Sequence, residues 1–126
     1  MIKGESEELR YRVAVSNGVH TIISDTTEEK GGGGSAIRPH ELLEAAFAAC
    51  LNMTIRMYAD KKNIPLQKVI THVFADRSQP GKTIFHYSFS FTGEITDEQR
   101  EALNRIVESC PVRKTLSNQL YFTNGT

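Results

Sequence analysis

Along this chain the spacing of apolar positions switches between the period of a strand and the period of a helix, and each switch marks an element. Residues 9–15, "LRYRVAV", alternate apolar and charged, "SNG" is a tight-turn signal, and "VHTIIS" follows. This predicts a β-hairpin over 9–24. The segment "DTTEEKGGGGSAIR" has no apolar period and reads as a flexible loop. A central helix is predicted over 40–62. Pro39 suits its first turn, and Glu41 and Glu44 favour the positive end of its dipole. Lys61 and Lys62 complement the negative end, Asn63 can take a left-handed cap, and Pro65 blocks continuation.

Two β-branched and aromatic runs, "VITHVFADR" and "TIFHYSFSFTG", are joined through "SQPGK" and predict a second hairpin over 67–93. In the second run Phe85, Tyr87, Phe89 and Phe91 share one face, which should pack on the helix, while Ile84, His86, Ser88, Ser90 and Thr92 share the other. "TDEQREALNRIVESC" opens with a capping box, Thr96 and Gln99, and carries Leu103, Ile106 and Val107 at helical spacing. "SCPVRKTLSN" then restarts, with Ser109 as a plausible N-cap and Pro111 in the new first turn. Helices are therefore expected over 97–117. The tail "QLYFTNGT" reads as a short final strand or a frayed end.

In the central helix the most apolar stripe comprises Leu43, Ala46, Phe47, Cys50, Met53, Thr54 and Met57, with Cys50 at its centre. The opposite side, with Ala45, Ala48, Asn52 and Ala59, is mostly small, so other backbone can approach closely there. A helix that is apolar or small nearly all round should be buried on most of its circumference. A chain of 126 residues has trouble covering both sides alone, which suggests a dimer.

Length fits one domain over residues 1–126. Fifteen basic and fifteen acidic side chains cancel without a dense block of either sign, so neither nucleic acid nor a membrane surface is an expected partner. "MIKGESEELR" lacks the apolar stretch of a signal peptide, and no apolar run approaches the roughly 20 residues of a membrane span. A cytoplasmic location is expected. There, two cysteines sixty positions apart are either buried thiols or a redox pair rather than a permanent disulfide.

The candidate chemistry is narrow. Gly31 to Gly34 do not lead through a lysine into a helix, so neither phosphate-loop pattern is met. His40, His72 and His86 could join a cysteine on zinc, but no CxxC or HExxH spacing appears, and no metal or cofactor is expected. A Cys–His hydrolase pair has no local signature around these histidines or His20. Cys110 lies at a helix N-terminal edge, where orphan N–H groups and the dipole favour a thiolate, and on local context it is the better nucleophile. Cys50 lies among alanine, phenylalanine and methionine, which disfavour a thiolate unless a cation is brought in. Arg10, Arg12 and Arg38, then Arg56 and Arg113, are the candidates. The bland reading is that both thiols are inert core residues.

Taken together, "RPHELLEAAFAACLNMTIRMYADKKNIPLQKV" and "ESCPVRKTLSN", in this order and with a β-hairpin between them, resemble the OsmC/Ohr family of small thiol-dependent peroxidases over roughly residues 9–117. The first matches that family's Pro-x-Glu-Leu, small-residue run and helical Cys; the second matches its Cys-Pro motif. The resemblance implies an α+β domain completed as an intertwined homodimer, with central helices packed between sheets shared by both chains. It also implies a two-cysteine cycle on organic hydroperoxides, with Cys50 peroxidatic, Cys110 resolving, and a thiol or dithiol as reductant. This reverses the ranking from local context.

The chain departs from well-studied peroxidase members at two points. Their glutamate directly after the motif proline orients an activating arginine; here His40 takes that position and Glu41 follows it, as in several OsmC-like members. Their arginine belongs to a glycine-flanked loop, whereas here Arg12 lies in a predicted strand and Arg38 stands beside Pro39. Nine residues of unbroken helix put Glu41 about 13 Å along the axis from Cys50, so an arginine would have to bridge. An apolar pocket around Phe47, Met53 and Met57 would favour alkyl peroxides. The second expectation is an OsmC-like binder of a small hydrophobic ligand with unreactive thiols.

Overall fold

The computed structural model describes residues 1–125; Thr126, the last residue of the expected tail, lies outside them. The chain divides into two compact units, residues 1–43 and residues from 44 onward.

The first unit is an antiparallel sheet of β1 (Lys3–Ser6), β2 (Val13–Ser16) and β3 (Thr21–Ser24), in that order. Residues 9–11 do not form the expected strand. They turn between β1 and β2, closed by the bond from the Glu7 amide to the Arg12 carbonyl at 3.0 Å. Alternation there carries no burial: Leu9 and Tyr11 are exposed. β1 escapes the period-two reading because every one of its side chains is exposed, and it is specified only by pairing with β2.

The segment from Asp25 to Ser35 is ordered from within rather than slack. Asp25 is buried, and its carboxylate accepts from the amides of Thr26 at 2.8 Å and Gly33 at 3.1 Å, and from the Ser35 hydroxyl at 3.2 Å. The first of these bonds, opposed in part by desolvation, holds its pKa below the usual carboxylate value. A Cβ at Gly32 would come within 2.8 Å of the Asp25 carboxylate, so this glycine is required by close approach. The glycine run thus wraps an internal anion.

Helix α1 (Pro39–Lys61) is continuous. Its end forms as expected, with Asn63 at φ 54° and the Ile64 amide donating to the Ala59 carbonyl at 2.8 Å. In the second unit it is followed by the long hairpin β4 (Leu66–Asp76) and β5 (Ile84–Gly93), then α2 (Asp97–Ile106), a 3-10 turn (Val107–Ser109) and α3 (Pro111–Ser117). Both bonds of the Thr96–Gln99 capping box are made. Residues 118–125 form no strand, and Leu120, Tyr121 and Phe122 are exposed.

The core of the second unit joins Phe47, Leu51, Ile55 and Ala59 of α1 to Leu66, Leu103, Val107 and Cys110. Each large side chain buried there contributes roughly 1.5–3 kcal/mol. The buried face of α1 is therefore rotated from the expected stripe: Met53 and Met57 are 57% and 66% exposed, while Leu51 and Ile55 are fully buried. A helix apolar or small on every side carries no polarity to orient it, so its partners decide. Its small side does admit backbone, as expected. Asn52 donates to the Val69 carbonyl at 3.0 Å, and Thr71 donates to the Ala48 carbonyl at 2.9 Å. Phe85, Phe89 and Phe91 pack toward the core, and Phe47 meets the rings of Phe85 and Tyr87 at 6.0 and 5.4 Å.

Candidate active site

The second unit brings Cys50 and Cys110 together. Cys50 sits in the middle of α1, half-buried, because the i, i+3 spacing from Phe47 turns it toward the core. Cys110 caps α3 and is fully buried. Both are free thiols, and Cys50 is close enough to contribute to the raised pKa of Cys110.

Burial works against the thiolate that the local context of Cys110 favours. Burial, first, and then the neighbouring Cys50 push the Cys110 thiol above its ordinary value, against the opposing pull of the Arg113 and Val112 amides. The helix-start amides are present, but desolvation wins. Cys110 is the buried thiol of the pair, and Cys50 is the half-buried one that keeps contact with solvent.

The arginines fall into separate settings. Arg38 donates through Nε to the Glu41 carboxylate at 2.7 Å, and its backbone amide donates to the same oxygen at 3.0 Å. The Arg38 side chain holds Glu41 below the usual carboxylate range. Glu41, not His40, is the carboxylate that pairs with an arginine here. Arg12 donates to the Ser35 hydroxyl at 3.1 Å and to Glu7 at 3.4 Å, within the first unit. Arg56 is committed to the carbonyls of Leu66 and Gln67 at 2.7 and 2.9 Å, a clamp on the start of β4. Arg113 lines a cavity of about 360 Å³ with Phe47, Phe85 and Tyr87. Among the described residues no group of three or more His, Cys, Asp or Glu could hold a metal ion, and no helix is long and apolar enough to cross a membrane.

Sequence reasoning missed the role of Asp25 and the partner of Glu44. Glu44 accepts from the Ala75 amide at 2.8 Å and so ties the first turns of α1 to β4. An acidic residue followed by glycines at loop distance was the available signal for Asp25. Glu44 reads equally well as a dipole-favoured carboxylate, and nothing local points to its partner.

The family model for OsmC-like proteins matches residues 32–123, spanning both cysteine motifs. The chain belongs to the OsmC-like family. Among solved structures, this OsmC-like chain is similar to an organic hydroperoxide resistance protein OsmC from Legionella pneumophila, at 24% identity and a TM-score of 0.68, covering 94% of this chain and 88% of that one. An OsmC-like protein from Mycoplasma pneumoniae is 18% identical with a TM-score of 0.76, covering 94% and 86%. An OsmC-like protein of unknown function from Vibrio cholerae is 13% identical with a TM-score of 0.68, covering 94% and 95%. At these identities the likeness establishes the mixed α+β OsmC-like fold. The comparison with curated proteins finds no match.

Proposed function

We propose that residues 1–126 form one OsmC-like domain that works as a homodimeric, cytoplasmic, thiol-dependent reductase of organic hydroperoxides. The observation that carries this reading is the adjacency of a half-buried thiol and a fully buried one, supplied by two segments sixty positions apart. The Cys50 thiolate attacks one peroxide oxygen; an S–O bond forms, the O–O bond breaks, and the other oxygen leaves as the alcohol with a proton. Cys50 is then a sulfenic acid. Cys110 gives up its proton and attacks the Cys50 sulfur, an S–S bond forms, and the hydroxyl departs as water. A dithiol reductant restores both thiols by exchange. Glu41, Arg38 and Arg12 are the residues proposed to promote the first step. Neighbours named as organic hydroperoxide resistance proteins support the substrate class.

Consumption of cumene hydroperoxide with a dithiol reductant tests the reading. Wild-type turnover should exceed that of Cys50→Ser by on the order of a thousandfold or more, and equal rates would sink the proposal. The apolar surroundings favour one other reading, a binder of small hydrophobic ligands with unreactive thiols. Mass spectrometry after one equivalent of peroxide separates the two: loss of the two thiol hydrogens, with Cys50 and Cys110 in one linked peptide, supports the enzyme, and an unchanged mass supports the binder.

A further inference from the structure

We propose that the cavity beside Arg113 is a binding site for a small apolar monocarboxylate. The cavity measures about 360 Å³, within the span of ligand sites at about 300–1,000 Å³. Phe47, Phe85, Tyr87 and Leu116 form the apolar part of the lining, beside Thr83 and Ser117, and Phe47 meets the rings of both Phe85 and Tyr87, so this wall is preformed. Arg113 is the only charged group among the lining residues.

The arginine sets the ligand class. It is half-buried, and among the described residues its guanidinium has neither a hydrogen-bond nor an ion-pair partner. Arg56 shows the contrast, since its fork is filled by two carbonyls. A guanidinium cannot shed its proton to ease desolvation, so beside an apolar wall it remains a standing demand for an anion. Its planar fork matches a carboxylate bidentately. A single cation beside apolar walls neutralises one negative charge, so a monoanion is matched better than a dianion such as a phosphate monoester, and an amine is repelled. The hydrocarbon part of the ligand takes the place of water against Phe47, Phe85 and Leu116.

The test is direct binding of octanoate to the reduced wild-type protein, followed by calorimetry and by shifts of backbone amide signals. Octanoate should bind saturably with shifts at Phe47, Phe85 and Arg113. Octanamide, with the same chain and no charge, should bind roughly tenfold to a hundredfold more weakly, and octylammonium not at all. Arg113→Gln should lose octanoate affinity by a similar factor, with Arg113→Lys retaining part of it. Equal affinity for octanoate and octanamide overturns the proposal without recourse to any variant. So does an Arg113→Gln protein that keeps its circular dichroism and binds as the wild type does, or the absence of saturable binding. Because the readout is binding, failure of the peroxidase reading leaves this result interpretable, and the reverse also holds.

Discussion

At the scale of single residues the two thiols differ because their surroundings differ. Cys110 is buried and its pKa raised, while Cys50 keeps contact with solvent. A thiol whose folded pKa lies above its unfolded value of about 8.5 contributes stability that is complete below that value and lost as pH rises through the folded one. Denaturant midpoints measured from pH 7 to pH 10 should therefore fall more steeply in the wild type than in Cys110→Ala, and parallel curves would refute the burial argument. Alkylation of native protein should modify Cys50 well before Cys110. Glu41 carries the opposite sign: its pKa is lowered by Arg38, so the pair is intact above the ordinary glutamate value and is lost as pH falls through the depressed one. If Glu41 positions Arg38 for the peroxide step, Glu41→Gln slows peroxide consumption by on the order of tenfold to a hundredfold with the fold unchanged. If it only caps the helix, the rate stays and only the melting temperature moves. The cysteine pair was legible because each motif is a short local pattern. The burial of Cys110 was not, because the residues that cover it, Leu103, Val107 and the α1 core positions, are brought there by packing rather than by spacing.

At the scale of elements, ends were easier to read than faces. The capping box and the left-handed Asn63 are local chemistry, and both are formed. The orientation of α1 depends on which partners claim which side, and the strand over 9–12 failed because alternation states a period and never a partner. One residue joins the two kinds of information. Gly93 closes β5 at φ 133°, opposite Leu66, where the ladder shifts register between Leu66 and Lys68. A Cβ on it would collide with the Pro65 carbonyl. Gly93→Ala should therefore destabilise by about 1–3 kcal/mol or more, read from urea midpoints. Thr96→Ala, which removes one half of a neighbouring cap, should lose about 1 kcal/mol. A Gly93→Ala protein as stable as the wild type would mean that the β4–β5 junction relaxes freely.

At the scale of the whole molecule, the second unit leaves much apolar surface and strand edge without a partner. Among the described residues β4 and β5 pair only with each other, and an isolated two-stranded ribbon is marginal in water. Side chains of α1 satisfy the Val69 carbonyl and the Ala75 amide of β4, so the helix does part of the work of a missing neighbour. Met53 and Met57 remain exposed on α1 itself. Burying what remains exposed of the two methionines on association is worth roughly 2–4 kcal/mol before the entropy of association is counted, so they suit the centre of an interface. If α1 of a second copy covers this face, the melting temperature rises with protein concentration, because a dimer is stabilised by mass action. Met53→Glu combined with Met57→Glu would place two carboxylates in that interface. The double variant should sediment as a monomer, and its melting temperature should lose its dependence on concentration. A wild-type protein that sediments as a monomer throughout the micromolar range would refute the dimer. Peroxidase activity of the double variant then tells whether the thiol pair, whose two cysteines belong to one chain, needs the second copy for its first step.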